Sequence, residues 1–341
     1  QERFEKYLRA VRKNGVLPVF VPLSEVNEQA AFVAQRILEL RDEDVPLTEI
    51  AVLYRSHYHS MELQMELTKR GIPFEIRSGL RFFEEAHIKD VLSYMKIFHN
   101  PYDELAWRRI LRLLPRVGRR TSDKVWAYIS VTSEPLEAIN SRKVLDLLER
   151  GAEEGFRELL KTLKDLKTLA KSPAEMIKTV VERGYNEYLK TEYPNYLNRL
   201  EDLNQLATFA LQYNSLEKFL SDLALAHGVV AEDIVEAGER ETEACVLSSV
   251  HQAKGLEWSR VFIIWLAEGR FPSYLSYDDE ETLEEERRLF YVAVTRCKDE
   301  LYLTCPIMYS GFEGEVIMKK SRYLTEIPEE LYEAWTVEKE I

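Results

Sequence analysis

The spacing of apolar positions along the chain changes character twice. Between residues 16 and 78, short apolar runs alternate with helical stripes. Residues 16–23 (VLPVFVPL) read as a strand, and from Ser24 onward Ala31, Val33, Ile37 and Leu38 recur at helical spacing. Residues 50–54 (IAVLY) have the unbroken apolar character of a strand buried on both faces. Residues 61–70 read as a helix closed by Gly71, and 73–78 as a third strand. Strand, helix, strand, helix, strand is the grammar of a parallel sheet with crossover helices. From about residue 89 to 235 the strand signal is almost absent. VLSYMKIF, LAWRRILRLL, VLDLLERG and LEKFLSDLALAHG repeat apolar residues at three and four positions, punctuated by Pro101, Pro115, Gly151, Pro173 and Pro194. Strands return at 244–250 (ACVLSSV), 261–267 (VFIIWLA) and 301–305 (LYLTC), with a helix over 283–296 between the last two.

Two arrangements fit this order. Two small α/β domains could flank a helical one, but each sheet would then hold only three strands, thin for a parallel sheet covered on both faces. The simpler arrangement is one α/β domain, residues 1–95 and 239–341, whose parallel sheet is split in sequence by an all-helical insertion, residues 96–238.

Charge sharpens this picture. The 341-residue chain carries a net charge of −13, which by itself argues weakly against a nucleic-acid partner. The distribution argues the other way. Arg108, Arg109, Arg112, Arg116, Arg119, Arg120 and Lys124 cluster against one nearby acid, Asp123, while acids gather at 278–281 and 284–286. A basic patch on an acidic chain suits a phosphate backbone. No apolar run approaches the roughly 20 residues of a membrane span, and the opening QERFEKYLRAVRKNG is a charged amphipathic pattern unlike a secretory signal. Cys245, Cys297 and Cys305 are an odd set without metal-type spacing, as expected of reduced thiols in a cytoplasmic protein. His57 and His59 flank Tyr58 with no cysteine or third histidine nearby in sequence, so they read as residues of a surface loop, and no metal site is expected.

Three segments carry candidate chemistry. Arg55 directly follows the 50–54 strand, the run 250–258 (VHQAKGLEW) directly follows the 244–250 strand, and Arg296 ends the 283–296 helix. All three are expected at the rim of one sheet, where open α/β folds bind ligands. Two arginines and a Lys-Gly-Leu-Glu loop there would suit a polyphosphate, because the guanidinium fork binds two oxygens and stays charged. Plain readings remain open: Arg296 as a cation at a helix C-terminus, Arg55 as a loop surface residue, Gly255 as a tight turn.

In order along the chain, IAVLYRS, SGLRFFEEAHIKD, SSVHQAKGLEW and EEERRLFYVAVTRCKDELYLT closely resemble helicase motifs IV, IVa, V and VI of the UvrD/Rep family of superfamily-one DNA helicases. The tail SRYLTEIP resembles the family's sequence after motif VI, so the resemblance covers nearly the whole chain. It implies that the α/β part is a RecA-like motor domain of P-loop NTPase type, domain 2A, and the helical part the accessory domain 2B. It further implies an ATP site shared with a first motor domain, and 3′-to-5′ movement along single-stranded DNA. Arg55 and Arg296 match the motif IV and motif VI arginines that reach the γ-phosphate. Glu257 matches the glutamate on the nucleotide ribose, and Gly255 the glycine whose backbone lies near the phosphates. Ser249 and His251 match positions on the single-stranded DNA path.

The turn LLPRVGRRTSDKV, residues 113–125, resembles the family's R-G-I-G-x-x-T element that touches duplex DNA ahead of the fork. Gly118 and Thr121 match, and Arg116 stands where the first glycine belongs. Duplex contact is implied for Arg116, Gly118, Arg119, Arg120 and Thr121. A glycine turn leading into a helix capped by Thr or Ser offers N–H groups to phosphate; a solvated arginine-rich turn is the alternative. Phe82 and Phe83 are expected to pack between the domains, and Trp258 either in the core or near the DNA.

No glycine in the chain is followed by lysine, so the G-x-x-x-x-G-K-[ST] phosphate loop is absent, and no Asp-Glu pair follows a buried apolar strand. ATP and Mg2+ are thus expected as cofactors of a longer enzyme whose N-terminal motor domain holds the magnesium ligands. The chain alone is expected to be inactive as an ATPase. Expected partners are that motor domain, single-stranded DNA, the duplex junction and repair proteins, with no membrane. Two rival readings share the same motifs: a non-catalytic DNA- or protein-docking module, and the helicase subunit of a recombination nuclease complex. The modest insertion and the absence of a nuclease-like cluster after motif VI favour the UvrD/Rep type.

Overall fold

The computed structural model describes residues 15–77, 82–169, 172–224, 243–311 and 314–337. These divide into two compact units. One draws on Gln1–Gly79, Glu241–Tyr309 and Val316–Ile341, the other on Leu80–Arg240 and Ser310–Glu315.

The first unit is built on β1 (Val19–Leu23), β2 (Ile50–Tyr54), β3 (Phe74–Ile76), β4 (Cys245–Ser249), β5 (Trp258–Ile263) and β6 (Cys297–Pro306). β7 (Met308–Gly311) and β8 (Gly314–Ile317), which form a separate two-stranded sheet, follow in the chain, and then a two-residue β9 (Glu333–Ala334). The main sheet has seven strands in the order β3-β4-β2-β5-β6-β1-β9, and every pairing in it is parallel. β4 lies between β3 and β2, so the two sequence halves interleave in a single sheet and the two-domain alternative is excluded. This is a mixed α/β fold whose sheet is interrupted in sequence by a helical stretch.

Alternation along the strands explains the layers. Val19, Val21 and Leu23 with Ile50, Val52 and Tyr54 enter one core, under the helix Val26–Asp42. Phe20, Ala51, Leu53, Val246 and Leu303 enter the other, which includes Phe290 and Ala293 of the helix Glu280–Val294. A parallel sheet covered on both faces needs such continuous apolar strands.

The details differ from the expected pattern where tertiary contacts override it. On the Val26–Asp42 helix the buried apolar positions are Ala30, Val33, Ala34, Ile37 and Leu40, while Ala31 and Leu38 are half-buried. β5 starts three residues earlier than the apolar run and ends at Ile263. Trp265 takes a φ of 60° and turns the chain out of the ladder, its indole N–H donating to the His59 carbonyl at 3.0 Å. β6 extends to ten residues because its polar start, Cys297 to Glu300, pairs with β5. The Glu280–Val294 helix starts where the Asp279 carboxylate accepts the N–H groups of Glu281 and Thr282, so part of the acidic run is a helix cap with favourable charge in the first turn.

His59 does not sit on a surface loop as expected. It is 1% exposed and stacks on Trp265 with ring centroids 5.1 Å apart. Its Nε2 and the Glu62 Oε2 both lack a partner and border one small gap together with Gln29. Burial, then the charges of Arg270 and Arg55, hold the His59 pKa well below its ordinary value. Burial pushes the Glu62 carboxyl up from 4.5 to about 7. Between those values the folded chain holds a proton that the unfolded chain has released, so rising pH there favours unfolding. Glu62→Gln is therefore expected to stabilise the protein by about 1–3 kcal/mol at pH 8 and hardly at all at pH 4.5. Urea unfolding at the two pH values checks this; an equal gain at both would show that Glu62 does not titrate in this way.

The second unit is helical. Ala86–His99 packs on Glu104–Arg112 and on Pro173–Val180, and the latter packs on Tyr196–Ala210. Trp107 is fully buried and donates to the Pro101 carbonyl at 2.8 Å. Phe82 and Phe83 are buried edge to face in this unit. Residues 225–235 of the expected helical stretch lie outside the described residues, as do Ser78 to Arg81 of the SGLRFFEEAHIKD run. No helix among the described residues is long and apolar enough to cross a membrane.

Candidate functional site

In a parallel sheet every strand points the same way, and this separates residues that the sequence groups together. Arg55 follows the carboxyl end of β2, and Ser249 and His251 mark the carboxyl end of β4. Trp258 opens β5, and Arg296 immediately precedes β6, so both lie at amino ends. With Leu53 level with Ile263 and Ile50 level with Arg260, Arg55 and the start of β6 are about 20 Å apart along the strands, at roughly 3.3 Å per residue. The expectation that both arginines share one rim is not met. The run 250–257 is the link: it leaves the carboxyl rim at β4 and reaches the amino rim at β5, burying Val250 and Ala253 on the way.

At the amino rim the structure joins two of the predicted segments. Arg296 donates from Nη1 to the Leu256 carbonyl at 2.9 Å, from Nε to the Val292 carbonyl at 3.0 Å and from Nη2 to Thr295 Oγ1 at 3.0 Å. Its own carbonyl accepts the Trp258 N–H at 2.9 Å. Three of the five guanidinium N–H groups are thereby used to fix its direction, and two are left over. Gly255, with φ at 89°, makes the turn before this contact, in a region an L side chain rarely adopts. Glu257 is exposed between the two anchored residues. Trp258 is 4% exposed and belongs to the core.

At the carboxyl rim Arg55 is half-buried and already paired. Its Nε and Nη2 lie 2.7 and 2.6 Å from Oε1 of Glu286. Glu286 is 3% exposed, and its other oxygen accepts the Ser273 N–H at 3.2 Å. His251 is exposed; partial desolvation first, then the Arg55 charge, lower its pKa, against an upward pull from Glu286. Ser249 is buried and its carbonyl accepts the N–H groups of Gln252 and Ala253, both at 3.1 Å. Its placement suits shaping the loop more than meeting a ligand. The sequence reading missed Glu286, although a signal was present. It falls at helical spacing with buried Phe290 and Ala293, a carboxylate at a core position.

In the helical unit the turn at 116–121 is formed, with a different cap. Gly118 caps the helix Arg119–Ile129, one turn before the Thr121 and Ser122 expected there. Thr121 and Ser122 are buried within it, Ser122 donating to the Arg119 carbonyl. Arg116 takes a φ of 61°, which explains why a glycine suits that position. Its Nη1 donates to the Arg150 carbonyl at 3.2 Å. Arg116, Gly118, Arg119 and Arg120 are exposed. The basic patch is smaller than its sequence suggests, because Arg108 pairs with Glu104 and Asp123, Arg109 with Asp90, and Arg112 with Asp123 while donating to Ser122. Its open part is Arg116, Arg119, Arg120 and Lys124.

Residues 1–306 match the family described as the UvrD-like helicase C-terminal domain. The chain belongs to that family. Its relatives include the protein named ATP-dependent DNA helicase PcrA of Bacillus subtilis, 31% identical over 92% of this chain and 44% of that protein. DNA helicase II of Escherichia coli is 33% identical over 93% of this chain and 45% of that protein. ATP-dependent DNA helicase UvrD1 of Mycobacterium tuberculosis is 32% identical over 96% and 46%. The chain thus spans about half the length of these UvrD-like relatives.

Proposed function

We propose that this UvrD-like chain supplies one half of the ATP site, and part of the DNA track, of an ATP-dependent DNA helicase moving 3′ to 5′ on single-stranded DNA. The observation that carries this is the amino rim of β5 and β6, where Arg296 is held on the Leu256 carbonyl beside the exposed Glu257. A guanidinium with two donors left over, held on the carbonyl of the residue just before an exposed glutamate, suits the γ-phosphate and the ribose hydroxyl of one nucleotide. Gly255 keeps the backbone clear of a Cβ there. Among the described residues no group of three His, Cys, Asp or Glu could hold a metal ion. In this reading the phosphate loop and the Mg2+ ligands come from a first motor domain facing that rim. His251, at the opposite rim, faces single-stranded DNA, and the turn of Arg116, Gly118, Arg119, Arg120 and Thr121 meets the duplex junction. The protein works in the cytoplasm, with repair proteins among its partners.

The experiment compares the purified chain with a protein in which the N-terminal half of a UvrD-type relative precedes it. The chain alone is expected to show no ATP hydrolysis above background, and the joined protein to show DNA-stimulated hydrolysis. Turnover by the chain alone would contradict the half-site. For the duplex contact, Arg119→Ala with Arg120→Ala is expected to weaken duplex binding about tenfold at 0.1 M salt and to flatten the salt dependence by close to two phosphate contacts. Titration at several salt concentrations reads this, and an unchanged slope removes the turn from the DNA path.

A further inference from the structure

We propose that Arg55 and Glu286 form a buried strut that sets the helix Glu280–Val294, and through it the guanidinium of Arg296, so that Arg55 serves hydrolysis as a positioning residue without touching phosphate itself. This inference rests on the reading of Arg296 as the γ-phosphate arginine.

Arg55 is committed to its partner. Two of its nitrogens lie on one oxygen of Glu286, and the Ser273 amide takes the other oxygen. Glu286 is nearly sealed from water, at 3% exposed. Handing Arg55 to a phosphate would leave a buried carboxylate with one amide donor, an arrangement proteins avoid because an uncompensated buried charge is costly. The two residues are 231 apart in sequence, so their pairing ties the end of β2 to this helix.

The helix has other anchors, but they lie at its start and along the Tyr323 side: Thr282 donates to the Ser276 carbonyl, and Arg287 pairs with Glu326. Asp279 caps its start. Phe290 packs against Tyr323 at 5.7 Å and Phe271 at 5.9 Å, and the Tyr323 hydroxyl donates to the Leu283 carbonyl at 2.8 Å. Its inward stripe of buried residues is Glu286, Phe290 and Ala293. Arg296 lies ten residues beyond Glu286, about 15 Å along a helix axis. Its guanidinium binds the Val292 carbonyl of the last turn, so a shift or rotation of the helix moves it directly. A displacement of about 1 Å at a reacting group can cost on the order of a hundredfold in rate.

The test uses a helicase-length protein carrying this chain, with single-stranded-DNA-stimulated ATP hydrolysis as readout. Arg55→Gln should lower kcat about 10- to 100-fold and leave KM for ATP within about twofold, because the loss lies in alignment of the transition state. Adding Glu286→Gln removes the stranded charge and lets the two neutral amides hydrogen-bond in place of the ion pair, keeping the tie between β2 and the helix, so kcat should return to within about threefold of the parent. If Arg55 instead touched phosphate directly, no change at Glu286 could replace it, so a double variant as slow as the single one overturns the proposal. So does Arg55→Gln at parental kcat. If Arg55→Gln is not recovered folded, Glu286→Gln alone decides: the strut predicts a kcat several-fold lower at unchanged DNA affinity, and an undiminished kcat overturns it. Arg296→Ala runs alongside; full hydrolysis by that variant shows instead that the nucleotide half-site is wrong.

Discussion

Arg296→Ala, in a helicase-length protein that carries this chain, is expected to lower DNA-stimulated ATP hydrolysis about 1,000-fold, the lower end of what an arginine at the transferred phosphoryl group contributes. The expectation follows from how the side chain is held. Its three internal hydrogen bonds, to Leu256, Val292 and Thr295, fix the guanidinium before any nucleotide arrives, so little ordering remains to be done at the transition state. Arg296→Lys keeps the charge but has no fork to hold the Leu256 and Val292 carbonyls together, and is expected to be nearly as slow. DNA affinity should hardly change, because Arg296 is at the amino rim and His251 at the carboxyl rim. Steady-state hydrolysis at saturating DNA measures the effect. Activity within about twofold of the parent would mean that no transition-state charge meets this residue.

The second large effect is on stability. Trp258→Ala is expected to cost about 3–5 kcal/mol, the range for emptying a buried aromatic site. Trp258 is 4% exposed and packs in the core cluster with Val250, Ala253 and Phe290. Its backbone joins Arg296 to β5. The cavity would therefore open under the loop that presents Glu257, and nucleotide affinity should fall along with the urea midpoint. Trp258→Phe should recover most of the loss. A variant that unfolds like the parent but binds single-stranded DNA more weakly would instead place Trp258 on the DNA path, the other reading its sequence position allowed.

Much of the fold was legible because burial leaves a local trace. β2 is apolar at every position and β4 at its first three, as strands covered on both faces tend to be, and the helical stretch shows its period. The union of the two halves was legible only as an argument from sheet size. The pairing of β4 between β3 and β2 made it a fact. Strand ends were less legible. β6 begins with Cys-Lys-Asp-Glu, residues that carry no strand signal and pair only because β5 runs beside them. The candidate site was legible in its residue types and not in its grouping. Spacing placed Arg55 with Arg296, whereas the structure pairs Arg55 with Glu286 and Arg296 with Leu256. The basic patch showed the same limit, since Asp90 and Glu104 neutralise two of its arginines from positions outside the run.

By itself, the sequence determined the elements, the class of fold, the absence of a Gly-Lys phosphate loop and the resemblance to UvrD-type helicases. These depend on residue type and on periods of two to four residues, which the chain carries locally. Only the tertiary structure decided which rim each candidate residue occupies and which charges neutralise one another. Rim and partner depend on strand direction and on pairings between residues as far apart as Arg55 and Glu286. Nothing in local spacing records those pairings, because they are set when the buried faces of distant segments meet.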